Sequence, residues 1–397
     1  LTWIKTALCD SFDGELSFGG IARLVVSLPR ETATAIFPEA RSARYWHKLD
    51  DGRIQCDLCP RFCRLHEGQR AFCFVRARRG EEIVLTTYGR SSGFCVDPVE
   101  KKALNHFLPG TPVLSFGTSG CNLGCKFCQN WDISKAREFE VLAEKASPED
   151  IAKTAERLGC PSVAYTYNDS TIFHEYALDT AIACHERGIK SIAVSAGYVC
   201  PEPRAEFYRH MDAANIDLKG FSEEFYRTIC YAQLQPVLDT LVYLKRETRV
   251  WLEVTTLLIP GHNDSERELE QMTQWVVENL GPDVPWHFTA FHPDWRMRDV
   301  PPTPGKTLSL ARAIAVKNGV RYAFTGNVHD PAGQATYCYN CQELLIGRDR
   351  FEITAWHLTA DGRCRECGTA CAGMFDRSPG LWGSKRMPVT VNAGRGS

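Results

Sequence analysis

Three thiols stand close together in the stretch GTSGCNLGCKFCQNW, at Cys121, Cys125 and Cys128. A structural zinc site takes four protein ligands, and catalytic zinc usually takes three, commonly with histidine among them. No histidine lies in this stretch. A [4Fe–4S] cluster usually takes four cysteines, one per iron. Three cysteines would leave one iron open, so the count itself suggests a site left incomplete for a second molecule.

An open iron can bind the amino and carboxylate groups of a methionine moiety, which brings the sulfonium of S-adenosylmethionine (SAM) beside the cluster. One electron passed into the C–S bond then releases methionine and a 5′-deoxyadenosyl radical. In such radical cofactor chemistry the protein supplies ligation, orientation and exclusion of water. The spacing C-x3-C-x2-C, with Phe127 just before the last cysteine, is the radical SAM signature. Cys121, Cys125 and Cys128 are therefore both the metal ligands and the catalytic core of the reading.

The chain has 18 cysteines. A reducing cytosol favours free thiols for metals or redox work over disulfides. Cys338, Cys341, Cys364 and Cys367 form two C-x2-C pairs separated by 22 residues, the spacing of a zinc ribbon. The intervening ELLIGRDRFEITAWHL alternates apolar residues as two short strands would. At the other end, Cys56, Cys59, Cys63 and Cys73 fit structural zinc or an auxiliary [4Fe–4S] cluster equally. The arginines around them (Arg61, Arg64, Arg70, Arg76, Arg78 and Arg79) read as a solvated face, diluted by Glu67, Glu81 and Glu82. Cys200 and Cys230 sit where loops would reach the site; the remaining scattered cysteines read as small buried hydrophobes.

The elements that must carry these residues follow from the apolar pattern. With 397 residues and 44% hydrophobic content, the chain can bury one large core with small appendages. A net charge of −2 argues against general nucleic-acid or membrane-surface binding. No apolar run approaches the roughly 18 residues of a membrane span, and the start carries no export signal. The expected location is cytoplasmic. From about residue 111, apolar runs without polar alternation recur: PVLSFG, SVAYTY, SIAVSA, ANIDLK, WLEVTTLLI, WHFTAF and RYAFTG. Such runs mark parallel strands buried on both faces. Helix starts lie between them, at Ser147-Pro148-Glu149-Asp150 and Ser265-Glu266-Arg267-Glu268. An α/β fold follows, a complete or partial barrel of the TIM type, with its chemistry at the C-terminal strand ends. The three-cysteine loop follows the first strand there, and TYNDS, SAGY, DLKG, PGHND, FHPD and GNVHD follow later ones. The expected divisions are an unordered extension at 1–45, a four-cysteine segment at 46–110, the barrel at 111–330, a ribbon-like module at 331–380 and a tail at 381–397.

The words CDLCPRFC, DPVEKKALNHF, GCNLGCKFCQNWDIS, AYTYNDSTIFHEY, NIDLKGF, QPVLDTL, IPGHND and GNVHD resemble the radical SAM enzymes of the AmmeMemoRadiSam system, relatives of pyruvate formate-lyase-activating enzymes. The match covers roughly residues 50–380. The resemblance implies a partial barrel of the radical SAM type, a [4Fe–4S] cluster on the three cysteines and SAM as cosubstrate. It implies Phe127 against the adenine, Thr166, Asn168 and Asp169 at the SAM amino group, Ser195 near the ribose, and Asp217 and Lys219 toward the substrate. It also implies Memo-like and AMMECR-like partners and a low-potential electron donor such as flavodoxin or ferredoxin. An oxidoreductase-like enzyme acting on an unidentified substrate is the leading reading. A glycyl-radical-enzyme activase and a metal-stabilised RNA- or protein-binding module are the alternatives.

Overall fold

All seven double-buried runs form strands in the computed structural model, which describes residues 40–136, 142 and 144–391. They lie in one nine-stranded sheet. In chain order its members are β1 (Phe94–Pro98), β2 (Pro112–Phe116), β3 (Ser162–Tyr165), β4 (Lys190–Ser195), β5 (Ala213–Asp217), β6 (Trp251–Leu258), β7 (Trp286–Ala290), β8 (Ala323–Gly326) and β9 (Met387–Val389). The spatial order is β8-β7-β6-β5-β4-β3-β2-β1-β9. Strands β2 to β8 are parallel throughout, whereas β1 runs antiparallel to β2 and β9 antiparallel to β1.

Helices return the chain between the parallel strands. Helix α1 (Pro148–Arg157) begins at a complete capping box, in which Ser147 and Asp150 satisfy each other's backbone N–H groups. Helices α2 (His174–His185), α3 (Pro201–Arg209) and α4 (Gln235–Glu247) follow. Helix α5 (Glu266–Leu280) is capped by Ser265, and Leu269, Met272, Val276 and Leu280 are buried along one face. Burying each of these side chains contributes about 1.5–3 kcal/mol. The expected reciprocal box at α5 is only half made, because Glu268 instead accepts the Phe221 N–H at 2.7 Å. Helix α6 (Gly305–Lys317) precedes β8.

The segment between β1 and β2 plugs the N-terminal end of the strands. Val99, Leu104, Phe107 and Leu108 pack against Val113, Ala164, Ile192 and Ala213 from four neighbouring strands. The Glu253 carboxylate, fully buried in β6, accepts the N–H groups of Asn105 (2.9 Å) and His106 (2.8 Å). Asn215 on β5 donates to the Ala103 carbonyl at 2.8 Å. DPVEKKALNHF is therefore a floor to the sheet.

The four-cysteine segment and the described C-terminal residues belong to the same compact unit as the sheet. Arg41–Ser42 pairs with Glu82–Leu85, and β9 lies inside the expected tail. Residues 1–39 of the expected extension lie outside the described residues. Among the described residues, no helix is long and apolar enough to cross a membrane.

The ribbon-like module forms as its alternation predicts, from antiparallel strands Leu344–Asp349 and Glu352–Trp356 with Thr336–Tyr337 alongside. It is fastened to the floor of the sheet. The His106 ring bonds the Ala372 carbonyl (2.7 Å) and the Thr336 hydroxyl (2.9 Å), and Arg348 donates to the Asn105 carbonyl at 2.7 Å. The module thus sits at the end of the sheet opposite the three-cysteine loop.

Candidate active site

Strand β2 ends at Phe116, and the three-cysteine loop leaves from its C-terminal end. Two glycines allow close approaches there. A Cβ at Gly117 would meet the Thr166 carbonyl oxygen at 2.3 Å. At Gly120 (φ +80°) it would meet the Cys73 carbonyl oxygen at 1.9 Å. The loop therefore lies against the end of β3 on one side and against the N-terminal cysteine segment on the other.

Asn168 does most to fix its path. The side-chain amide donates to the carbonyls of Thr118 and Gly120, both at 2.8 Å. Asn130 returns the bond from the loop to the Tyr167 carbonyl at 2.7 Å. The N–H groups of Gly124 and Lys126 donate to the carbonyls of Cys230 (2.9 Å) and Ile229 (3.0 Å). Lys135 ties down the Leu123 carbonyl at 2.8 Å. Asn168→Ala removes the two carbonyl tethers upstream of Cys121. Its expected result is loss of most bound iron together with SAM cleavage, read by iron analysis and product assay. Full iron with weakened SAM affinity would instead place the amide on the cosubstrate.

All three thiols are free. Cys125 is buried, and Cys121 and Cys128 are partly so. Burial pushes the Cys121 thiol up to about 12 and raises Cys128. Cys125 behaves oppositely and is pulled down by the neighbouring Cys230 thiol, assisted by the positive charges of Lys219 and Lys135. The Leu123 N–H donates to the Cys121 sulfur at 3.4 Å, and Ser134 lies 3.0 Å from the Cys128 sulfur.

Around the thiols the predicted residues divide into two groups. Lys219 pairs with Asp217 at 2.8 Å and stands 5.8 Å from the Phe127 ring, which stacks on Phe225. Although burial opposes its charge, Lys219 is held well above its ordinary value by Asp217 and Cys125. The second group is occupied internally. Asp169 accepts the N–H groups of Thr171 and Ala196, each at 2.9 Å, and the Ser195 hydroxyl at 3.2 Å. Burial raises its carboxyl pKa. Asp169 and Ser195 thereby brace the end of β3 against the end of β4. Thr166 is buried at the end of β3, where its N–H donates to the Phe116 carbonyl at 2.9 Å.

The donor set fits the group that the spacing implies. One metal ion would gather its ligand atoms closely. Among the described residues, however, only Cys338, Cys341, Cys364 and Cys367 bring three or more such atoms within 4.8 Å of one another. The three loop thiols interact electrostatically without converging, as separate irons of one cluster require. The buried hydroxyls of Thr118, Ser119 and Thr255 find no hydrogen-bond partner among the described residues and remain available to a polar ligand. Cys230, Lys135 and Ser134 are neighbours of the thiols that sequence reasoning left out of the site. Cys230 carried a signal as a thiol expected near the mouth, whereas Lys135 carried none.

The other cysteine sets separate clearly. Cys338–Cys367 and Cys341–Cys364 have sulfur–sulfur distances of 3.6 and 3.7 Å. A tetrahedral ion with metal–sulfur bonds of about 2.3 Å gives edges of about 3.8 Å. Gln342 (φ 64°) and Gly368 (φ 72°), each following the second cysteine of its pair, turn the two knuckles alike. The expected solvated arginine face is not found as such. Arg76 is fully buried against Glu175, and Arg61 donates to the carbonyls of Asn122 and Tyr231.

Residues 116–273 match the model of the radical SAM superfamily. The chain is 40% identical over 329 residues to "Uncharacterized protein MJ0808" of Methanocaldococcus jannaschii, an alignment covering 83% of this chain and 98% of that one. Among solved structures, a domain of pyruvate-formate lyase-activating enzyme from Bacteroides vulgatus is similar at 17% identity and a TM-score of 0.37, covering 42% of this chain and 98% of that one. A radical SAM methyltransferase from Sphaerobacter thermophilus is similar at 12% identity and a TM-score of 0.44, covering 72% and 76%. Likenesses this distant say nothing about substrate. The matched span opens on the last residue of the strand that delivers the three-cysteine loop and closes within α5, and on that match the chain carries a radical SAM superfamily domain.

Proposed function

We propose that the protein is a radical SAM enzyme that abstracts hydrogen from a substrate bound at the C-terminal ends of the parallel strands. The observation that carries this reading is the set of three free thiols on the loop after β2, beside the paired charges of Asp217 and Lys219. When bound, a [4Fe–4S] cluster and SAM would supply reductive cleavage of the sulfonium to methionine and a 5′-deoxyadenosyl radical. Cys121, Cys125 and Cys128 would hold the cluster and leave one iron to the methionine end of SAM. Lys219 and Lys135 offset the negative charge of the thiolates. Phe127, supported by Phe225, offers an apolar wall against the adenine, and the unpartnered hydroxyls of Thr118 and Ser119 offer hydrogen bonds beside the loop, with that of Thr255 in register with Asp217. Asn168, Asp169, Thr166 and Ser195 position this shell.

A low-potential donor such as flavodoxin or ferredoxin completes the reaction, and Memo-like and AMMECR-like proteins are its proposed partners. A glycyl-radical activase role would require a companion chain with a glycyl loop. Anaerobically reconstituted enzyme supplied with dithionite or reduced flavodoxin should release 5′-deoxyadenosine and methionine. Fully iron-loaded protein that makes neither, even with partners present, would sink the reading.

The C-terminal quartet is proposed to hold structural zinc, because its sulfur–sulfur distances match one tetrahedral ion and it is fastened at the far end of the sheet. Changing Cys338 and Cys341 to serine removes half of its ligands, and small metal modules commonly unfold without their ion. Limited proteolysis should then cut preferentially after residue 330, with zinc reduced by about one per chain and iron unchanged. Loss of iron instead of zinc would reverse the assignment.

A further inference from the structure

Cys56, Cys59, Cys63 and Cys73 line one small pocket, together with Arg76 and Asn122 among others. Unlike the C-terminal quartet, their sulfurs are not gathered to the spacing of a single ion. No three of them fall within 4.8 Å of one another, as the sulfurs around one zinc would. Four thiols spread around one pocket suit a cluster whose irons occupy separate corners. Backbone N–H groups two residues further on face three of the sulfurs and are placed to donate to them, Leu58 at Cys56, Arg61 at Cys59 and Val75 at Cys73. Such bonds stabilise sulfur ligands and tune cluster potential.

Arg76 supplies the second, independent observation. Its side chain is fully buried. The terminal nitrogens are spent on Glu175 (2.6 and 2.7 Å) and on the Arg44 carbonyl (3.0 Å), while Nε has no partner among the described residues. A buried N–H donor left open is costly unless something accepts from it. The sulfides and thiolates of a cluster in this cavity would do so.

The cavity also has two sides with different neighbours. Inward, the Cys73 carbonyl touches Gly120, the residue before Cys121, and Asn122 is part of both the three-cysteine loop and the cavity wall. Outward, Phe62 and Phe72, each next to a cysteine of the set, are exposed.

We propose that Cys56, Cys59, Cys63 and Cys73 ligate a second, fully coordinated [4Fe–4S] cluster that relays single electrons inward to the site on Cys121, Cys125 and Cys128. Each relay is one electron accepted from an external low-potential donor of the flavodoxin or ferredoxin class and one electron passed on, with no proton or bond change at the relay. The inference rests on the proposed function for its acceptor, but the existence of the second cluster is tested without it.

The test uses the full chain with Cys121, Cys125 and Cys128 changed to alanine, which leaves the four cysteines of the cavity intact. Anaerobic reconstitution should load about four irons per chain, against about eight in the parent. Dithionite reduction should give an electron paramagnetic resonance signal that SAM does not alter. An iron-free triple variant carrying about two zincs would overturn the assignment, even if the parent cleaves SAM. A parent that fails to cleave SAM while the triple variant keeps its cluster would overturn only the proposed function. For the relay, Cys63→Ser should lower flavodoxin-driven SAM cleavage at least tenfold while dithionite-driven cleavage falls far less. Equal rates with flavodoxin in the variant and the parent would overturn the relay.

Discussion

Changing Cys121, Cys125 and Cys128 together to alanine is expected to abolish 5′-deoxyadenosine formation, to below about one part in a thousand of the parent rate. The size of the effect follows from the number of ligands removed. With no protein ligand left, the site cannot hold an iron to bind SAM, and the reductive cleavage depends wholly on that cofactor chemistry. The fold should largely survive. The loop lies at the strand ends, and its path is set by Asn168, Asn130 and the carbonyls of Ile229 and Cys230, none of which is changed. Cys125 is the most buried of the three, so some loss of stability is expected there. Circular dichroism and a thermal melt would check the fold, and an anaerobic product assay the activity. Retained cleavage would mean that the thiols are not the ligands.

The second large effect is on stability. Glu175→Ala should destabilise the chain by about 3–5 kcal/mol, because it leaves the Arg76 guanidinium buried without its counter-charge. Arg76 and Glu175 are separated by 99 residues and are both buried, at 2.6 and 2.7 Å. Although burial opposes ionisation, Arg76 holds the Glu175 carboxyl below the usual carboxylate range. The same carboxylate accepts the Arg44 N–H at 2.7 Å. The pair therefore joins α2 to the four-cysteine segment through charge and the backbone together. Denaturant unfolding of the variant would measure the loss. The double change Arg76→Met with Glu175→Leu should recover a substantial part, since an apolar replacement removes both desolvation costs. A loss below about 1 kcal/mol in Glu175→Ala, the scale of an exposed pair, would show that the pair is not buried as described.

What could be read in the sequence was what local chemistry decides. Ser162–Tyr165 is buried at every position, so its strand appears as an unbroken apolar run. The caps at Ser147 and Ser265 act within three residues and announce themselves. Knuckle spacing fixes the C-terminal quartet. What could not be read depends on distant partners. Glu100, Lys102 and His106 look like surface residues, yet all three are buried in the floor. Lys102 is there because Asp97 meets it at 2.8 Å, and Glu100 because it accepts the Gly110 N–H at 2.6 Å. Arg76 sits in a run of arginines, and only the position of Glu175 in the folded chain removes it from water. The amide of Asn168 likewise shows no sign in sequence that it will hold two loop carbonyls.

The sheet is an arc rather than a ring. Its terminal strands, β8 and β9, have no ladder between them among the described residues. In a closed barrel every widening must break backbone hydrogen bonds somewhere around the circumference. An arc can splay at its two ends at the expense of side-chain contacts alone, while the parallel ladders beneath the three-cysteine loop keep their register. The strand ends can thus spread without disturbing the ladders that carry the three-cysteine loop.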